Sequence, residues 1–423
     1  MMIQRERAIL VGVNINNQPN FQESMEELKN LIIACEFEVV GKVEQNLKAV
    51  NAAYYIGSGK VQEVIFLIEE TEADILVFDN ELTPSQLRNL EKSFGRKIMD
   101  RTSLILEIFA KRAKTREAKL QVEVARLQYM LPRLIGSNLS LGRQSGGVGT
   151  KNKGVGEKKL VLDRRNIEEK VSDLNKELEL LSNERQTQRK KRNKAGLPTV
   201  ALVGYTNAGK STLMNAMVGL FQKSEAKKVV EKNMLFTTLE TSVRNIMLPG
   251  KKEFLLFDTV GFVNKLPHNL VKAFRSTLEE VREAGLLLHV VDISNQNYLQ
   301  QIEVVKETLK QIGAEDLPTI YVYNKADLTT LEIPFMDAEK VYLSAKSTVG
   351  VVELTHFISE VVFKEYLECK MLIPYDQGKI VYYFNENACV KSMSYESDGT
   401  LLTIECRESD FRRYEQFAYI EEY

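Results

Sequence analysis

The run Gly204-Tyr205-Thr206-Asn207-Ala208-Gly209-Lys210-Ser211 narrows the fold of this chain more than any other feature, because it fits GxxxxGK[ST] between an apolar stretch, TVALVGY, and a helical one, STLMNAMVGLF. Strand, glycine loop and helix in that order form a cradle for phosphate. Gly204 and Gly209 let backbone N–H groups converge on anionic oxygens without a Cβ in the way, and the dipole of the following helix favours negative charge. Lys210 is placed to bridge the β and γ phosphates. Ser211, with Thr212 beside it at the helix start, is placed to offer its hydroxyl to Mg2+.

Three further motifs follow in the order a guanine-nucleotide site requires. The strand FLLF leads into Asp258-Thr259-Val260-Gly261, where the carboxylate reaches the Mg2+ shell and the glycine amide senses the γ-phosphate. The strand TIYVY leads into Asn324-Lys325-Ala326-Asp327. A carboxylate at Asp327 accepts two hydrogen bonds from guanine N1 and N2, which adenine cannot supply, so the wrong base leaves it unpaired. The strand VYLSAK ends in Ser344-Ala345-Lys346, whose backbone is expected to contact the guanine oxygen. Four linked signals at successive strand ends specify a GTP-binding α/β domain.

The Mg2+ shell also needs a threonine between the phosphate loop and Asp258. Thr237 and Thr238 in NMLFTTLE are the candidates, and spacing does not separate two neighbours. Phe262 stands where a catalytic glutamine often follows the glycine, so hydrolysis is expected to be slow alone and stimulated by a partner. Asn207 occupies the loop position that coordinates potassium in several GTPases lacking that glutamine, and K+ is therefore expected to speed turnover.

With 423 residues, 44% of them hydrophobic and 27% charged, the chain can bury several cores without disulfides or structural metals. Residues 1 to about 112 alternate apolar strands (AILVGV, EVVGKV, ADILVFD) with helical patterns, an amino-terminal α/β domain. Leu120, Val124, Leu127, Leu131 and Leu134 then recur at four-three spacing, and Ile167, Val171, Leu174, Leu178 and Leu181 repeat it, extended backwards by Leu160. The stretch 136–159, GSNLSLGRQSGGVGTKNKGVGEKK, is too rich in glycine to continue either helix. Over 113–196 the expectation is a long antiparallel helical hairpin, its arms about 30 Å long for about 20 residues, carrying a basic tip. A plainer alternative packs both seams into a bundle. Leu197-Pro198 opens the P-loop GTPase domain, 197–366, and 367–423 reads as a small α+β domain with strands KIVYYF, VKSMSY and LLTIEC and a turn at Ser397-Asp398-Gly399.

Net charge is only −1, yet 101–159 carries 13 Lys plus Arg against four acids, a net of +9. A basic segment on an otherwise acidic chain suits docking onto polyphosphate. Its candidate RNA contacts are Arg112, Arg116, Lys119, Arg143, Lys151, Lys153, Lys158 and Lys159. The chain begins MMIQRERAIL, with charges where a signal peptide is apolar, and no apolar run approaches membrane-crossing length. A cytoplasmic monomer with no membrane insertion is expected. Cys35, Cys369, Cys389 and Cys406 include no CxxC pair and read as buried free thiols. His289, inside LLLHVVD, reads as a core residue, whereas His268 either reports nucleotide state or lies on the surface. Gly57-Ser58-Gly59-Lys60 before a helix offers either an anion site or a tight turn.

GYTNAGKSTL, DTVGF followed by LPHNLV, YYIGSGK, and LQVEVARL with its later DRR resemble segments of the HflX family of ribosome-associated GTPases. The resemblance spans nearly the whole length and implies the same domain order. It also implies binding to the large ribosomal subunit and its rRNA, splitting of stalled ribosomes under stress, and GTP hydrolysis that resets the protein. By that pattern Thr238 aligns with the switch threonine, completing a catalytic set with Lys210 and Gly261, and Phe262 is normal. One stretch departs: where members commonly carry GGxGxRGPGETQLE, Gly146 to Val161 reads GGVGTKNKGVGEKKLV, with two extra residues, added lysines and no proline. Because the family's tip approaches the peptidyl transferase centre, this departure points to a specialised paralogue, an antibiotic-resistance factor among the expectations. Two other functions compete. One is a signalling switch acting on protein effectors, the other an ATP- or GTP-driven rRNA remodelling factor with a second nucleotide at Gly57–Lys60.

Overall fold

The computed structural model describes residues 5–18, 20–138, 153–194, 197–221, 242–265 and 275–419. It divides into two compact units, one of 1–191, 232–240 and 260–279, the other of 192–231, 241–259 and 280–423.

In the first unit, β1 (Arg7–Ile15), β2 (Glu38–Leu47), β3 (Ile75–Phe78) and β4 (Lys97–Asp100) form a parallel sheet in the order β2-β1-β3-β4. Both faces are covered, so its central strands read as continuous apolar runs. Ala8 and Leu10 face a core shared with α1 (Phe21–Ala34) and α4 (Arg101–Arg112). Ile9 and Val11 face the other way, onto α2 (Ser58–Thr71) and α3 (Pro84–Phe94). Thr83 with Gln86, and Asp100 with Ser103, close capping boxes that start α3 and α4.

The hairpin consists of α5 (Arg116–Asn138) and α6 (Lys153–Lys194). Arg116 and Glu117, at the start of α5, pair with Glu177 and Arg185, whereas Glu123, further along, pairs with the earlier Lys170 of α6, so the arms are antiparallel. The seam residues Ile167, Val171, Leu174, Leu178 and Leu181 are half-buried. On a second face α5 sinks Ala118, Val122 and Ala125 into the core beside α1 and α4, which makes it a bundle member as well as an arm. The expected helix break is narrower than 136–159. Helix α6 starts at Lys153, so Gly154 and Gly156 lie within it. Once a helix is nucleated, each glycine costs only about 1 kcal/mol, which the helix formers around them tolerate.

In the second unit come β5 (Thr199–Gly204), α7 (Lys210–Phe221), β6 (Ser242–Met247) and β7 (Glu253–Asp258), with α8 (Arg275–Arg282) beginning before this unit resumes at 280. They are followed by β8 (Leu286–Asp292), α9 (Tyr298–Ile312), β9 (Thr319–Asn324), β10 (Phe335–Asp337), β11 (Lys340–Tyr342) and α10 (Val351–Val362). The sheet runs β10-β11-β9-β8-β5-β7-β6, parallel through its centre and antiparallel at both edges.

The carboxy-terminal region corrects one strand. KIVYYF is not extended but forms α11 (Gly378–Asn387). Its β-forming residues are overridden by packing, because Ile380, Val381, Phe384 and Ala388 recur at helical spacing over the apolar face of a small sheet. That sheet takes its remaining strand from before Pro374: β12 (Tyr366–Ile373) pairs with β14 (Gly399–Arg407), and β14 with β13 (Cys389–Glu396). A short α12 (Glu408–Arg413) follows. Among the described residues no helix is long and apolar enough to cross a membrane.

Candidate nucleotide site

Strand β5 ends at Gly204 and α7 begins at Lys210, so the intervening loop sits at the carboxyl end of a central parallel strand. Gly204 has φ 150° and Gly209 φ 97°. A Cβ on Gly204 would lie 2.2 Å from the Val290 carbonyl oxygen, and one on Gly209 would lie 2.2 Å from Asn324 Nδ2. Contact with β8 and β9 thus already requires glycine at both positions, a packing reason that the spacing did not reveal. Asn207 is left-handed at φ 62° and exposed, Thr206 and Ala208 are buried, and Tyr205 and Thr212 are half-buried.

Lys210 Nζ donates to the carbonyls of Gly204 at 3.0 Å and Tyr205 at 2.8 Å. Burial lowers its pKa to about 8, against the opposing pull of Asp258. Asp258 is fully buried at the end of β7 and accepts a 2.6 Å hydrogen bond from Ser211 Oγ. Hydroxyl and carboxylate oxygens converging from two elements are hard donors of the kind Mg2+ takes. Thr259 Oγ1 donates to the Leu202 carbonyl at 2.6 Å, fastening the end of β7 to β5.

The base-side residues are linked through Asn324, which is only 3% exposed. Its Nδ2 donates to the Ala208 carbonyl at 2.8 Å, and its Oδ1 accepts from the Ala345 amide at 2.9 Å. One side chain therefore holds the phosphate loop and the Ser344-Ala345-Lys346 turn together. Lys325 is left-handed at φ 61°, and its ammonium is 2.6 Å from Asp292, the aspartate that ends β8. Asp327 lies on the short turn Ala326–Leu328 with its side chain exposed, Ser344 and Ala345 are buried, and Lys346 is exposed. The bridging role of Asn324 and the Asp292 contact went unread in sequence, although an aspartate closing the apolar run LLLHVVD was a signal.

Gly261 and Phe262 are buried, the latter 2% exposed, and a phenyl ring has no group to orient water. Thr237, Thr238, His268, Arg143 and Lys151 lie outside the described residues. Lys153, Lys158 and Lys159 fall on α6, while Arg112 ends α4. Arg116 pairs with Glu177 yet stays largely exposed, as does Lys119. Two other cations of the basic segment are spent internally: Arg101 is buried against Asp79 and Glu27, and Arg133 lies 3.0 Å from Asp100. The basic surface is accordingly smaller than the charge count implied.

His289 is buried in β8 beside the Tyr321 ring, and burial, then Lys210 and Lys306, lowers its pKa to about 3. It is a neutral core residue. Cys35 and Cys406 are buried, Cys369 and Cys389 half-buried, all as free thiols. Among the described residues no group of three or more His, Cys, Asp or Glu is arranged to hold a metal. At Gly57–Lys60, the Gly57 amide donates to Gln45 at 2.9 Å and the Lys60 ammonium pairs with Glu63 at 2.5 Å.

Residues 22–110 match the family model for the GTP-binding GTPase N-terminal region, 112–192 the GTP-binding GTPase middle region, and 199–325 the 50S ribosome-binding GTPase. GTPase HflX of Caldanaerobacter subterraneus is 44% identical over 395 residues, covering 93% of this chain and 90% of that one. GTPase HflX of Escherichia coli is 36% identical over 415 residues, covering 96% and 95%. A solved GTP-binding protein from Sulfolobus solfataricus in complex with GDP aligns at TM-score 0.46 and 22% identity, over 85% of this chain and 99% of that chain.

Proposed function

The chain belongs to the HflX family of GTPases, and on that premise we propose that it acts at the large ribosomal subunit, splitting or rescuing stalled ribosomes and using GTP hydrolysis to reset. The observation that carries the nucleotide half of this reading is Asn324, whose amide group joins the phosphate loop to the Ser344–Lys346 turn. The match of 199–325 to a 50S ribosome-binding GTPase supports the other half. So does the basic segment 101–159, reduced as it is by internal pairing.

In this reading the loop amides and Lys210 hold the β and γ phosphates, and Asp327 accepts from the guanine edge while the Ser344–Lys346 backbone meets its oxygen. Ser211 and Asp258, with Thr238, hold Mg2+, which when bound supplies positive charge to the phosphates. Gly261 senses the γ-phosphate through its amide, and Asn207 favours K+ as a turnover cation. Phe262 leaves the attacking water to be positioned by a partner, which makes the ribosome the expected stimulator. The protein works as a cytoplasmic monomer. The unusual stretch Gly146 to Val161 supports a specialised paralogue whose tip displaces a drug near the peptidyl transferase centre. Equal drug susceptibility of cells after exchanging that stretch for the common family sequence would remove the resistance role alone.

Sedimentation of the purified protein with ribosomes tests the main proposal. Cosedimentation with the large subunit in a non-hydrolysable GTP analogue, weakening as salt rises, is expected. Recovery of protein partners and no ribosomes would favour the signalling switch instead.

A further inference from the structure

The division between the two units falls inside the Asp258–Gly261 motif: Asp258 and Thr259 belong to the second unit, Val260 and Gly261 to the first. What holds the segment after the division is therefore a question about the amino-terminal unit. Val260 and Val263 are 8% and 1% exposed and join the apolar cluster built by α1, α4 and α5. The Asn264 amide donates to Glu27 Oε1 at 3.3 Å. Lys265 then places its ammonium 2.5 Å from Asp79 Oδ2.

Asp79 immediately follows β3, at the carboxyl end of a parallel strand, where sheets of this kind usually hold a ligand. Here the position is filled from within. The carboxylate is 1% exposed and also receives Arg101 at 2.6 Å and Ser24 Oγ at 2.7 Å. Burial pushes its pKa up, and Arg101 with Lys265 more than reverses that, leaving it below the ordinary value. Asp79 is thus an anion in the core whose charge is shared between a buried guanidinium and a lysine arriving from the segment that carries Gly261.

Lys265 has a left-handed backbone at φ 55°. That conformation is strained for a residue with a Cβ. Lysine is used at a position whose backbone would suit glycine, which fits a side chain retained for where its charge ends.

We propose that Lys265 is a positioning residue for GTP hydrolysis, its ion pair with Asp79 fixing the segment 260–265 and with it the Gly261 amide. It touches no reacting atom. Its contribution is to reduce the number of conformations open to the segment that carries Gly261, and small misplacements of catalytic groups are expensive in rate. The inference rests on the GTPase reading of the chain.

The test compares Lys265→Met, which keeps most of the side chain's volume, with Lys265→Arg, which restores the charge. Asp79 is left intact, because its removal would strand Arg101. GTP turnover, KM, GDP affinity and thermal unfolding are measured on the full-length protein. Lys265→Met is expected to lower kcat about fivefold or more while KM and GDP affinity stay within about twofold, and Lys265→Arg to recover at least about half of the loss. A purely structural clip would lower the melting temperature and leave kcat unchanged well below it. Wild-type or higher kcat in Lys265→Met overturns the proposal. Failure of the wild-type protein to hydrolyse GTP in the same assay would bring down the GTPase reading itself.

Discussion

Two parallel sheets in this chain use the same strand ends for opposite purposes. In the GTPase sheet, the carboxyl ends of β5, β7 and β9 lead into loops whose groups converge around Lys210, Asp258 and Asn324. In the amino-terminal sheet, the ends of β3 and β4 present Asp79 and Asp100, and the chain's own cations and hydroxyls take both. Asp100 accepts from Tyr129 at 2.6 Å and pairs with Arg133 at 3.0 Å, and the Arg133 guanidinium stacks 3.3 Å from the Tyr129 ring. The edge of a parallel sheet gathers polar groups in either case. Whether it becomes a ligand site depends on whether the chain supplies the counter-charge itself.

If the amino-terminal edge is closed by its own charges, breaking it should cost stability. Arg101→Met takes a cation from the buried Asp79 and the part-buried Glu27, and should destabilise the first unit by about 3–5 kcal/mol in urea unfolding. A loss below about 1 kcal/mol would mean that Lys265 and solvent compensate, and the edge is more open than drawn.

At the GTPase edge the matching deletion should cost affinity. Lys210→Ala removes the charge proposed to hold the phosphates, expected to cost about 1.5–3 kcal/mol, or roughly a 10- to 150-fold weaker GTP dissociation constant by calorimetry. Asp327→Asn should favour xanthosine triphosphate over GTP by about 1–3 kcal/mol, read in competition binding. Unchanged preference would remove Asp327 from base recognition.

A smaller effect comes from pH. The Lys210 pKa is lowered to about 8, so above pH 8 the free protein increasingly holds the neutral amine. Phosphates favour the ammonium, so binding must take up a proton there. Affinity should be greatest below pH 8 and fall up to about tenfold per unit above it. A flat profile between pH 7 and 9.5 would show that the ammonium persists without nucleotide. Smallest is the effect of neutralising Lys151, Lys153, Lys158 and Lys159 on ribosome binding. The slope of log affinity against log salt should fall by roughly 0.7–0.9 for each phosphate the protein no longer neutralises, and GTP affinity should not move. An unchanged slope would take these lysines out of the interface.

Much of the GTPase sheet was legible because its loops carry fixed residue types at fixed spacing after apolar strands. Gly204, Lys210 and Asp258 occupy the strand and helix ends expected of them. The hairpin was legible from its four-three seams. Other features depend on tertiary packing and leave no local trace. KIVYYF looks extended until its partner surface turns it into a helix, and β4 is only four residues long. Asp79 and Lys265 lie 186 positions apart, so no motif joins them. Asn324 closes the strand TIYVY, yet only the fold shows that its side chain bonds the backbone of Ala208 and of Ala345, 116 and 21 positions away.

We propose that the ribosome completes this GTPase, because the phenyl ring of Phe262 has no group to position water. GTP hydrolysis by the wild-type protein, measured with and without purified ribosomes and beside Lys210→Ala as the control, tests it most directly. The account predicts at least about tenfold stimulation by ribosomes, absent from the variant. Equal wild-type rates in the presence and absence of ribosomes would contradict it.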